Sequence, residues 1–257
     1  MFRLFKKKYS NEFNLPKRMW LDEHLSKKEL KKFKNCFNQI SGAEFIEILN
    51  EKFIPFIRTF GFKGSKNSYY LRYEPVIITL NIFKDKYGGN CALKLGVHLD
   101  YIENHLGQLP VASKFTVPDC YIHESVSMDN GESWYYYGLT KEEGYETVDL
   151  MINMFKKRGI PFLEQFHNYP KPFDQITLKD ILEPNENFIN YGISKDMLEW
   201  IHFRVFLAKF NLKTENKDLA LKILEKTRHD EYYDERFSQP GRSPLLESLD
   251  KLIENYQ

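Results

Sequence analysis

The sequence predicts an α+β protein, an antiparallel β-sheet flanked by helices and followed by an α-helical C-terminal subdomain. Three observations predict it. Residues 67–99 change from a helical period to the two-residue alternation and β-branched, aromatic composition of strands. Helical stripes with start signals lie on either side of that block, and every periodic segment beyond residue 174 reads as helix.

The elements follow in chain order. Residues 26–39 open with a capping box, Ser26 with Glu29, and carry Leu30, Phe33 and Phe37 at helical spacing. Ser41 with Glu44 repeats the box, and Phe45, Ile48, Leu49, Phe53 and Phe56 form one apolar stripe that runs toward Gly61. Pro55 lies inside that stripe, so a kink or break is expected near Phe53. Three strands then follow, SYYLRYE, VIITLNIFKD and CALKLGVHLD, separated by Pro75 and by the Gly88-Gly89-Asn90 cluster. In the last of them Ala92, Lys94, Gly96 and His98 oppose Cys91, Leu93, Leu95, Val97 and Leu99, which predicts a meander with one buried face. Residues 119–128 and 133–138 are weaker strands joined by a turn at Asp129-Asn130-Gly131.

Thr140 caps the next helix, with Glu142 and Glu143 in its first turn, Lys156, Lys157 and Arg158 near its end, and Gly159 as the expected stop. Pro170 and Pro172 mark a short connector. Helices are expected over 177–182, 194–210, 216–228 and 243–256. The organisation is therefore an N-terminal arm and helix over 1–40, an α+β domain over 41–170, and a helical subdomain over 171–257 packed on it.

Composition narrows the function classes. The 37 Lys and Arg against 36 Asp and Glu leave no global field to draw the chain to nucleic acid. Three cysteines, Cys36, Cys91 and Cys120, without paired spacing, fit a reducing compartment, so the cytoplasm is expected. The start MFRLFKKKYSNEF lacks the apolar core of a secretory signal, and no apolar run approaches the ~20 residues of a membrane span.

A helix ending in Thr59-Phe60-Gly61-Phe62, the aromatic pair Tyr69-Tyr70, an apolar strand, the strand from Leu93 to Val97 and a late helix leading into GIPFLEQF form a recurring pattern. Over residues 45–167 it resembles an uncharacterised bacterial family, the domain of unknown function numbered 4304. The resemblance implies an intracellular bacterial protein and, by analogy, an immunity or antitoxin partner. It supplies no catalytic residues.

The densest set of metal-ligand types is His98, Asp100 and His123, near Cys91, His105, Cys120 and Glu124. His98 and Asp100, two apart on a strand, are expected to leave the same face, as a zinc-like ion requires, but paired ligand spacing is missing and hydrogen-bonded histidines at a strand end are the plainer reading. Cys91 alternates with leucines and reads as a core residue. The Gly61-Phe62-Lys63-Gly64-Ser65-Lys66 stretch lacks the phosphate-loop pattern and reads as a turn.

Protein-binding candidates are Trp134, Tyr135 and Tyr137 in one aromatic run, and Tyr232, Tyr233, Asp234, Glu235 and Arg236 in an inter-helix loop. The expected function is a non-enzymatic bacterial binding protein without catalytic residues or cofactor, specifically an immunity protein that neutralises a toxin by direct contact. The alternative is a small hydrolase or nucleotide-handling enzyme using the His98, Asp100 and His123 neighbourhood.

Overall fold

The structure is a computed structural model, and it describes residues 40–256 apart from 87, 105–106, 130, 132 and 234–243; the side chains of 232, 233 and 244–246 also lie outside the description. The helix predicted over 26–39 falls outside these residues. The first described element, α1 (Gly42–Ile48), begins at the expected capping box: Glu44 N–H donates to the Ser41 hydroxyl at 3.2 Å, and Ser41 N–H donates to the Glu44 carboxylate at 2.8 Å. Its stripe does not break at Pro55. A π-helical turn, Leu49–Phe53, leads directly into α2 (Ile54–Arg58), with Pro55 in the first turn of α2. The missing proline N–H falls where the ladder is already changing register, so helical structure continues past it.

The sheet has six antiparallel strands: β1 (Lys63–Ser65), β2 (Ser68–Tyr73), β3 (Val76–Lys84), β4 (Asn90–Leu99), β5 (Ile122–Ser125) and β6 (Trp134–Tyr136). The first five run in spatial order, as a meander should. Gly88 and Gly89, at φ +77° and +81°, supply the left-handed backbone that turns β3 into β4. β5 and β6 do not pair with each other. Both pair with β4, β5 beside Lys94 to Val97 and β6 beside Asn90 to Ala92, so they form one edge interrupted by an excursion. The Ser127 and Ser133 hydroxyls, 2.8 Å apart, close the neck of that excursion, and Lys157 holds Asp129 at 2.7 Å.

The expectation of a single buried face is corrected. β4 is buried on both sides: Leu93, Leu95, Val97 and Leu99 face the main core, while Ala92, Gly96 and His98 are also covered. The cover comes from the long connection between β4 and β5. Its short 3-10 turn, Val117–Asp119, lies across β3, where Val117 N–H donates to Asn81 at 2.8 Å, and Thr79 meets Cys120 at 3.3 Å. These polar contacts satisfy groups that this face would otherwise bury unpaired.

The helix capped by Thr140, α3 (Lys141–Met154), does not stop at Gly159. It passes through a second π turn, Phe155–Gly159, into α4 (Ile160–Glu164), whose Pro161 repeats the arrangement at Pro55. Gly159 has an ordinary helical φ of −65°, and a Cβ there would stand 2.9 Å from the Phe155 ring, so the glycine serves close packing and not termination. Phe155 in turn meets Phe53, Phe56, Phe60 and Phe62, joining the two proline-bearing helices.

The C-terminal region is helical as expected: α5 (Leu178–Leu182), α6 (Lys195–Glu199), α7 (Ile201–Lys213), α8 (Lys217–Tyr233) and α9 (Pro244–Tyr256). The helix expected over 194–210 is divided at Trp200, whose ψ of 121° is extended. Arg204 holds that corner, donating to the Leu198 carbonyl at 2.8 Å and to Asp230 of α8 at 2.5 Å. One apolar cluster runs from Phe45 through the sheet to Phe173, Phe206, Phe210, Leu249 and Ile253. No helix among the described residues is long and apolar enough to cross a membrane.

Gly96 is where the second sheet face is tightest, since a Cβ would meet Cys120 Sγ and Thr79 Oγ1 at 2.7 Å each. Gly96→Ala is expected to cost about 1–3 kcal/mol by overpacking, read as a lower urea midpoint at unchanged slope. An unchanged midpoint would show that the connection lies loosely on the sheet.

Candidate functional site

β4 ends in a ring of aromatics. His98 is fully buried, stacked on Tyr121 with centroids 5.1 Å apart, and bounded by Phe115 and by Phe206 of α7. Its Nε2–H donates to the Ile102 carbonyl at 2.9 Å, which fixes the neutral tautomer with a bare Nδ1, and that atom meets no partner among the described residues. Burial pushes the imidazole down to about 4, opposed by the bond to Ile102 and by the nearby Asp119 and Glu103 carboxylates. His98 therefore acts as a neutral clamp on the chain just beyond the strand.

That clamp sets the residues on either side of Ile102. Tyr101 and Glu103 form one wall of an open cleft of about 290 Å³, completed by Lys209, Leu212 and Lys213 of α7 and by Leu252 and Tyr256 of α9. Lys209 donates to Glu103 at 2.5 Å, and although burial works to raise the carboxyl, this bond holds it below its usual value. The Lys213 ammonium stands 5.8 Å from the Tyr101 ring centroid. The Tyr101 and Tyr169 hydroxyls lie 2.9 Å apart, and burial followed by this bond raises the Tyr101 phenol.

The predicted metal set does not assemble: no group of His, Cys, Asp and Glu among the described residues is arranged to hold a metal ion. His98 is enclosed by rings; Asp100 lies past the strand end and pairs with Arg72 at 2.7 Å; His123 is exposed with its ring turned to the Cys120 carbonyl. The expected common face was correct for a continuing strand, but the chain turns at Asp100, whose N–H donates to the Pro75 carbonyl at 2.9 Å. Cys91 and Cys120 are both buried, and burial pushes each thiol up to about 12, far from a reactive thiolate.

The aromatic run is corrected in part. Tyr135 and Tyr137 are core residues; the Tyr135 hydroxyl donates to the Val126 carbonyl at 2.6 Å, and Tyr137 stacks on Phe45 at 4.1 Å. Alternation along β6 leaves Trp134 half-buried and turned the other way. Before the inter-helix run, the backbone through Tyr233 is still α8, with Asp230 bound by Arg204 and Lys226 and with Arg228 paired to Asp250 of α9. Those carboxylates serve helix packing. The side chains of Tyr232 and Tyr233, and Asp234, Glu235 and Arg236 entirely, lie outside the described residues.

The cleft residues were missed by sequence reasoning. The available signals were the four-residue spacings of Lys209 with Lys213 and of Leu252 with Tyr256, each defining one helix face.

The fold and the cleft define an α+β protein whose candidate site lies at the seam between an antiparallel sheet and a helical C-terminal region. Residues 53–165 match the family model described as Domain of unknown function (DUF4304), which bears out the resemblance carried by the glycine-phenylalanine turn and the central strands. The matched span contains His98, Tyr101 and Glu103, whereas the lysine-bearing and C-terminal walls of the cleft lie beyond it. No curated protein and no solved structure matches the chain.

The His98 environment predicts a pH dependence. An unfolded chain takes up the proton near the ordinary 6.5, whereas the folded imidazole does so only near 4, so the unfolded state binds more protons in between and stability falls as pH drops. Going from about pH 7 to about pH 5 is expected to remove about 2 kcal/mol through this group. His98→Gln, which keeps a donor for the Ile102 carbonyl, should flatten that part of the urea-denaturation profile. An equally steep profile in the variant would assign the slope to other groups.

Proposed function

We propose that the chain is a non-enzymatic binding protein of the bacterial cytoplasm that acts by contacting another protein, in the manner of an immunity protein that neutralises a toxin. The observation that carries this reading is the open cleft at the seam. Its walls combine tyrosines and leucines with lysines, and aromatic side chains with a polar tip give contact area at low entropic cost. The reading as a hydrolase or nucleotide-handling enzyme draws little from the same region, because His98 has its Nε2 engaged with Ile102 and its ring enclosed.

The test is co-expression with the product of the adjacent gene. A stoichiometric complex by sedimentation, together with relief of that product's toxicity, is expected. Tyr256→Ala, at a half-exposed rim position, should weaken the complex about tenfold or more with unchanged thermal unfolding. No complex and no relief, with an ordinary metabolic enzyme encoded alongside, would overturn the immunity reading.

A further inference from the structure

The charges and size of the cleft define what it would accept. Glu103 and Lys209 neutralise each other, whereas Lys213 has only the Tyr101 ring beneath it and no carboxylate in ion-pair range among the described residues. Among the described residues that line it, the cleft thus carries one positive charge without a carboxylate partner, above apolar walls made by Leu212, Leu252 and the rings of Tyr101 and Tyr256. Its volume of about 290 Å³ and its open mouth admit an inserted side chain together with its flanking apolar residues. One surplus charge likewise complements a monoanionic carboxylate better than a phosphate carrying nearly two charges. The paired phenols of Tyr101 and Tyr169 hold two hydroxyl protons and need only one for their mutual bond, so a donor remains when Tyr169 donates to Tyr101.

We propose that this cleft receives a single aspartate or glutamate side chain, flanked by apolar residues, from a protein partner. Lys213 is its counter-ion, Tyr101 supplies a hydroxyl donor, and Leu212, Leu252 and Tyr256 pack against its apolar neighbours. The proposal rests on the protein-binding reading above and names the chemistry its partner must present.

The test uses the full chain and two blocked peptides, acetyl-Leu-Asp-Leu-amide and acetyl-Leu-Asn-Leu-amide, titrated while the methyl resonances of Leu212 and Leu252 are followed by NMR. The aspartyl peptide is expected to give saturable shifts at both leucines, with the asparaginyl peptide at least about tenfold weaker. Lys213→Gln should abolish that preference and leave the thermal unfolding midpoint unchanged, since the residue is exposed. Equal binding of the two peptides, retention of the preference in Lys213→Gln, or no shift at millimolar peptide would overturn the proposal. So would concentration-dependent dimerisation that Lys213→Gln abolishes, which would assign the cleft to a second copy of the chain. A complex with the neighbouring gene product that ignores Lys213→Gln would sink this inference and spare the function above; peptide binding without any such complex would do the reverse.

Discussion

The strand Asn90–Leu99 is the constraint on which the rest of the structure depends. It is ten residues long, buried on both faces and paired along both edges, with β3 on one side and β5 and β6 in succession on the other. A strand enclosed in this way must find partners for every backbone N–H and C=O and cover for every side chain. The helices carrying Phe53 and Phe155 cover one face. The β4–β5 connection, with Phe115, Val117 and Cys120, covers the other.

Enclosure of β4 has a consequence at its far end. The strand delivers His98 into a dry aromatic setting, where a charged imidazole is disfavoured and the neutral ring spends its one N–H on the Ile102 carbonyl. That bond turns the backbone so that Tyr101 and Glu103 flank a point facing the helices. Phe206, packed on His98 and on Phe173, brings α7 to the same place, and with it Lys209 and Lys213. Core packing and cleft geometry are therefore one construction: the ring that anchors α7 to the sheet also sets the spacing of the cleft walls.

Much of the fold was legible because it rests on local rules. The capping box at Ser41 starts a helix where short-range hydrogen bonding alone places it, and Thr140 does the same with its side chain. Gly88 and Gly89 turn the meander because few other residues tolerate that backbone. The local rules misled where a nearby partner changed the balance. Gly159 resembled a helix stop, yet its missing side chain makes room for Phe155; Pro55 resembled a break, yet a π turn absorbs its lost N–H. Of the candidate site residues, Tyr135 and Tyr137 share the pattern of surface anchors with many core tyrosines, and only their contacts with Val126 and Phe45 distinguish the two.

By itself the sequence determined the α+β class, the order of the main strands and helices, the β2 to β4 meander and the kinship of its central segment, because each follows from periodicity and turn chemistry within a few residues; β1, Lys63–Ser65, formed where a turn was expected. Tertiary structure decided that β4 is buried twice over, that β5 and β6 share one edge, and that His98, read as a hydrogen-bonded histidine at a strand end, clamps the Ile102 carbonyl. It alone brought Tyr101 and Glu103 together with Lys209, Lys213 and Tyr256. The reason is distance along the chain: those contacts join residues more than a hundred positions apart, and no local pattern encodes which helix face a distant loop will meet.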